Sequence, residues 1–163
     1  MSALEASPAA GPGRPRILVL GYGNPGRQDD GLGPAVAAWF DGLGWPNVTA
    51  YDNYQLNIED AVDVAAHEIV WFVDASKAGP PFAVQDLAPA SIIEFTSHIV
   101  RPEAILAIAY QYYGRKPQAF LLAIRGYEFE FVEELTAGAT DNLRVALAML
   151  TDRIRAVSAP VAS

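Results

Sequence analysis

The chain has 163 residues, of which 52% are apolar and 18% charged, with 19 acidic against 11 basic side chains and a formal net charge of −8. This composition fits one domain with a sizeable core and excludes an intrinsically disordered chain, while the acidity argues against nucleic acid or an anionic membrane as partner. With no cysteine, a disulfide scaffold, a Cys-type zinc site and a thiol nucleophile are all excluded, and a cytoplasmic location is expected.

Residues 1–15 are rich in Ala, Pro and Gly and lack the basic start and apolar stretch of a signal peptide. They read as a disordered tail, as do residues 156–163, leaving a single domain over 16–155. No apolar run approaches the ~18 residues that span a bilayer. Ile17 to Leu20 is a continuous apolar run that reads as a strand buried on both faces. A Gly-rich loop follows over Gly21–Gly31. Leu32, Val36, Trp39, Phe40 and Leu43 recur at helical spacing, and Gly42, Gly44 and Pro46 end that helix. Val48–Tyr51 reads as a second strand and Ile58, Ala61, Val62 and Ala65 as a short helix. Ile69–Val73 is a third strand, ending at Asp74. After Gly79, Pro80 and Pro81, a short edge strand is expected over Phe82–Val84 and a clearer one over Ile92–Phe95. Pro102 suits the first turn of a helix that carries Ile105, Ile108, Ala109 and Tyr112 and stops at Gly114. Phe120–Ile124 is a further buried strand, and Leu143, Leu147, Leu150 and Ile154 form the stripe of a last helix.

Strands alternating with helices predict an α/β fold, with a mostly parallel sheet of about five strands and helices on both faces. One antiparallel strand is admissible, since the direction of Ile92–Phe95 is not fixed. In such sheets ligands gather beyond the carboxyl ends of the strands. Asp29 and Asp30 follow the first strand, Asp52 and Asn53 the second, Asp74 the third, His98 follows Phe95, and Arg125 follows Ile124. Carboxylate oxygens and a neutral imidazole suit a borderline divalent ion such as nickel or zinc. Asp30, Asp74 and His98 would supply three ligands. The same three residues also admit structural roles: a helix cap for Asp30, bonds to loop amides for Asp74, a half-buried loop position for His98.

Two other constellations are weaker. Gly21-Tyr-Gly23-Asn-Pro-Gly26 matches the dinucleotide fingerprint, with Asp52 placed as a ribose-binding acid. Pro25 and the polar run Arg27–Asp30, however, delay the helix whose N-terminus should meet the pyrophosphate, and two aspartates there would repel it. A Ser-His-Asp set could draw on Ser76 or Ser97 with His98 and Asp74, but the chain has neither a G-x-S-x-G elbow nor an H-E-x-x-H helix. His67 falls at the opposite rim and is expected to be structural.

The segment from Ile17 through Gly21-Tyr-Gly-Asn-Pro-Gly-Arg-Gln-Asp-Asp30 to Gly33 resembles the opening motif of the [NiFe]-hydrogenase maturation endopeptidases. Phe72-Val-Asp-Ala75 and Thr96-Ser-His98 resemble the family's second and third motifs, in the same order. Ile124-Arg-Gly-Tyr-Glu-Phe129 is similar to the segment after the last strand in members that serve cytoplasmic, pyridine-nucleotide-linked hydrogenases. The resemblance implies a three-layer αβα sandwich. It also implies a metal-dependent endopeptidase that removes a C-terminal extension from the hydrogenase large-subunit precursor once nickel is inserted; the sequence leaves monomer or dimer open. In the family an acid of the opening motif, an aspartate after the third strand and a histidine of the third motif contact that nickel; they fall on Asp30, Asp74 and His98. Zinc or cadmium could replace nickel in vitro. The first acid is often glutamate, so Asp30, one methylene shorter, implies a metal nearer the backbone or reached through water. Asp29 is placed beside it, fixing the loop or touching substrate. Gly21, Gly23 and Gly26 are expected to let substrate approach the backbone, Asn24 to bond the loop to itself, and Arg125 to bind the carboxylate end of the extension. A nickel checkpoint or chaperone that binds the precursor without cutting it is the alternative, with a dinucleotide-binding module behind it.

Overall fold

The computed structural model describes residues 14–91 and 100–158. Its elements run β1 (Ile17–Tyr22), α1 (Leu32–Leu43), β2 (Val48–Asn53), α2 (Asp60–Ala65), β3 (Ile69–Ser76), β4 (Phe82–Leu87), α3 (Pro102–Tyr113), β5 (Gln118–Arg125) and α4 (Ala137–Ser158). The strands form one sheet in the order β2-β1-β3-β5-β4, parallel except for β4, which pairs antiparallel with β5.

Alternation along the strands divides the core in two. Ile17, Val19, Trp71, Val73, Leu122 and Ile124 pack with Val36 and Phe40 of α1 and with Ala146, Leu150 and Ile154 of α4. Leu18, Leu20, Val70 and Phe72 face the other way, onto Ala61 and Val64 of α2 and Ile105, Leu106 and Ala109 of α3. The central strands are therefore apolar on both faces, as a parallel sheet covered by two helical layers requires.

The antiparallel strand lies at Phe82–Leu87 and is longer than the edge strand expected over Phe82–Val84. Its direction follows from chain length. Residues 77–81 need only cross the end of β5, two strand spacings or about 10 Å. They are too few to return to the other end of the sheet, as a parallel neighbour would demand. The strand expected over Ile92–Phe95 lies outside the described residues. The last helix starts at Ala137 and continues to Ser158, so residues 156–158 belong to the folded body rather than to a tail. Both ends of the body are tied together by Asn47, whose Nδ2 donates to Pro15 O at 3.0 Å and to Ser158 Oγ at 2.8 Å.

From β1 the chain steps to β2 on one side, then returns through α2 to β3 on the other. The reversal opens a crevice between the carboxyl ends of β1 and β3, the position where open α/β sheets bind ligands. The start of α1 sits against this crevice. A Cβ on Gly33 would lie 2.5 Å from Val73 O and 2.6 Å from Tyr22 O, so only glycine lets the helix approach both strand ends. Gly33→Ala should therefore cost about 3 kcal/mol or more in urea unfolding. Gly42→Ala, on the same helix with nothing within 4 Å of the added methyl, should instead stabilise by about 0.5–1 kcal/mol.

Candidate functional site

Tyr22 ends β1 and Asp74 lies near the end of β3. By alternation both follow the residues that face α2 and α3, and the register that pairs Gly21 with Val73 sets them side by side. Burial raises the carboxyl pKa of Asp74, to about 7, and the charge of Asp30 adds to it; the Ala75 amide, which donates to Oδ1 at 2.8 Å, and the Tyr22 hydroxyl pull the other way. Burial likewise raises the Tyr22 phenol, with the charges of Asp74 and of Glu103, in the first turn of α3, acting in the same direction. The charge of Asp30 thus acts on Asp74, and that of Glu103 on Tyr22.

Asp30 reaches it from the loop after β1, which folds into two 3-10 turns over Pro25–Gly31, kinked at Arg27 and Gln28. Asn24 organises the loop: its Oδ1 accepts from Gly26 N at 2.8 Å, and its own N–H donates to Asp30 Oδ2 at 2.6 Å. Gly23 has φ +141°, and a Cβ there would lie 2.0 Å from Asp30 O. Its N–H donates to Asn53 O at 3.0 Å, which joins the loop to the end of β2.

Asp29, by contrast, is fully buried. Its carboxylate accepts from Tyr127 N (2.7 Å), Glu128 N (3.1 Å), Thr136 N (2.8 Å) and the Thr136 hydroxyl (2.8 Å). Burial alone would raise its pKa; these donors outweigh burial and hold it below the usual carboxylate range.

Asp30 and Asp74 lie at the same end of the sheet, near enough for the charge of one to act on the other. His98 lies outside the described residues, and among the described residues no group of three or more His, Asp or Glu is placed to hold a metal. Asp29 takes the loop-fixing role, since every donor it meets is internal. The close approaches that require Gly21 and Gly23 are to Gly33 O and Asp30 O of the same chain, not to substrate. Asn24 does bond the loop to itself. Arg125 donates to Gly79 O (3.0 Å) and Gly126 O (3.2 Å) and stacks over Tyr127, which ties two loops together. His67 stands before β3, at the amino rim, buried with Nδ1 2.6 Å from Asp63 O, and burial lowers its pKa. Ser76 donates to Ala78 O at 3.1 Å. Asp52 is exposed, and α1 opens only at Leu32, beyond the third glycine of the dinucleotide fingerprint. Sequence reasoning missed Tyr22 and Glu103. Two-residue alternation from Leu18 and Leu20 was the available signal for Tyr22; Glu103 had none, since its place depends on how α3 packs.

No family model matches the sequence, and no curated protein matches it. Solved structures do. A [NiFe] hydrogenase maturation protease HycI from Thermococcus kodakarensis KOD1 superposes with a TM-score of 0.70 at 19% identity, over 93% of this chain and 97% of that one. A hydrogenase 2 maturation peptidase from Thaumarchaeota archaeon SCGC_AB-539-E09 gives 0.64 at 25% identity, over 85% and 97%. The hydrogenase maturating endopeptidase HybD from E. coli gives 0.66 at 22%, over 86% and 93%. The chain has the three-layer fold of the [NiFe] hydrogenase maturation proteases, the fold that its three motifs implied. Among the described residues no helix is long and apolar enough to cross a membrane.

The two aspartates should act on stability with opposite signs. Folded Asp74 holds its proton to about pH 7, against 3.8 for an ordinary aspartate. The metal-free protein should lose a few kcal/mol as pH rises from about 4 to about 7. Asp74→Asn should abolish that loss in urea unfolding with a chelator present. Asp29 is the reverse case: its contribution is present above the ordinary carboxylate range and lost as pH falls through its lowered value. Asp29→Asn should destabilise by about 2–4 kcal/mol at pH 7, a deficit that shrinks below pH 4.

Proposed function

We propose that this protein is an endopeptidase of hydrogenase maturation that recognises nickel carried by the large-subunit precursor and removes the precursor's C-terminal extension. The observation that carries the reading is the placement of Asp30, held against Gly23 and Asn24 just past the end of β1, on the same rim as Asp74, which the register sets beside Tyr22, in a fold shared with proteins named as maturation proteases. Asp30 and Asp74 are two of the three positions that the motif resemblance assigns to nickel contact.

The chemistry of the pair fits a cation. Burial opposes the charge on Asp74 in the free protein, and a divalent ion, by displacing the Asp74 proton, would turn the pair into two anionic ligands attracted to one cation. An apo-precursor offers no such ion, so the site discriminates loaded from empty precursor by charge. The metal, as part of the substrate, would supply Lewis-acid polarisation of a carbonyl. The chain's own residues hold and orient it: Asn24 N–H fixes Asp30, and the Ala75 amide and the Tyr22 hydroxyl act on Asp74. Ser76 donates its hydroxyl to Ala78 O, and direct attack by water on the scissile carbonyl is the proposed step. A cytoplasmic location and action as a monomer belong to the same reading, as does occupancy of the site by zinc or cadmium in vitro.

Intact-mass analysis of a nickel-loaded precursor tests the proposal. Wild-type protein should remove a fixed C-terminal mass and leave the nickel-free precursor whole. Asp30→Ala, Asp74→Ala and His98→Ala should each reduce cleavage more than 100-fold, whereas His67→Ala should retain it. Binding of the precursor without any mass loss would replace the peptidase with the checkpoint alternative.

A further inference from the structure

The chain between β5 and α4 closes over the loop that presents Asp30. Gly126 passes so near that a Cβ on it would lie 2.6 Å from Asp29 Cβ. Asp29 N donates to Glu128 O at 3.1 Å, and Gln28 N to Val132 O at 2.7 Å. The segment ends at Thr136, immediately before α4, and Thr136 is the one residue of it that bonds Asp29 through both main chain and side chain. Its hydroxyl has a second partner, the Ala139 N–H, which donates to Oγ1 at 3.2 Å. A hydroxyl carries one proton. The carboxylate must receive that proton and the lone pair must receive the amide, so the directions of both bonds are fixed.

We infer that Thr136 is a positioning residue for the site: its hydroxyl links the first turn of α4 to Asp29 and thereby holds the adjacent Asp30 where it meets Asp74. The anchor is rigid. α4 is buried against the sheet through Ala139, Ala146, Leu150 and Ile154, and its first turn is capped by this same hydroxyl, as a threonine before a helix commonly does. The bond to a buried carboxylate is charge-assisted. Beyond Asp29 the linkage continues without slack, since Asp30 O fills the space beside Gly23 and the Asp30 carboxylate accepts the Asn24 N–H. Thr136 touches neither substrate nor metal and acts through Asp29. The catalytic meaning of this rests on the peptidase reading; the mechanical linkage does not.

The test uses the full chain carrying Thr136→Val, which keeps the shape and loses the hydroxyl, and Thr136→Ser, which restores it. Thr140→Val serves as control, because the Thr140 hydroxyl bonds only within the helix turn, to Thr136 O at 2.9 Å. Two readouts are taken: amide hydrogen exchange at Asn24 against Phe72 in the core of β3, and kcat and KM for the nickel-loaded precursor. In Thr136→Val the Asn24 amide should exchange at least tenfold faster with Phe72 unchanged, and kcat should fall at least tenfold while KM moves less than threefold. Thr136→Ser should return both to within threefold of wild type, and Thr140→Val should leave both alone. Wild-type exchange at Asn24 in Thr136→Val, or equal acceleration at Phe72, would overturn the inference. A wild-type protein that leaves the precursor whole would overturn the peptidase reading, and the exchange comparison would still decide the linkage.

Discussion

Asp30 and Asp74, the second a carboxyl group that burial keeps from ionising, are held at one crevice, and the structure maintains that arrangement. Asp74 could escape it by facing solvent, but alternation along β3 carries it toward the α3 layer, where burial keeps its proton in place until about pH 7. Asp30 could escape it by loop movement, but Asn24, Gly23 and the buried Asp29 beside it leave the loop little freedom. Such a pair is a standing cost in the free protein, and its relief by a divalent cation gives affinity for an ion without requiring that one be resident.

The fold supplies the crevice by topology. Because β2 and β3 flank β1 on opposite sides, α1 after β1 covers one face of the sheet and α2 after β2 the other, which opens a gap above β1 and β3. The gap stays narrow because α1 begins directly on the strand ends, at the glycine that admits no side chain. The antiparallel edge strand β4 completes the sheet without adding a second crevice at that edge. One arrangement of backbone thus fixes where an acid beyond β1 and an acid at the end of β3 must meet.

Much of this was legible in the sequence. The continuous apolar runs located the buried strands, and the polar residues just past the strand ends included Asp30 and Asp74. Local signals ran out where the answer depended on distant partners. Asp29 and Asp30 are chemically identical neighbours; that one is buried and the other faces the crevice depends on donors at Tyr127, Glu128 and Thr136, which no local pattern links to them. Arg125 looked like a free cation after a strand, and only packing shows its guanidinium bound to loop carbonyls. The first turn of α4 was missed because Ala137–Asn142 contains a glycine and no apolar stripe, although Thr136 before it is a residue suited to start a helix. The antiparallel direction of β4 follows from the length of the link before it, a geometric argument available only once β5 is known to lie between.

The decisive experiment is a crystal of the protein grown with cadmium and measured at an anomalous wavelength. One strong peak is expected in the β1/β3 crevice, bonded to carboxylate oxygens of both Asp30 and Asp74. A crevice without cadmium, or an ion bonded to one of these aspartates and not the other, would contradict it.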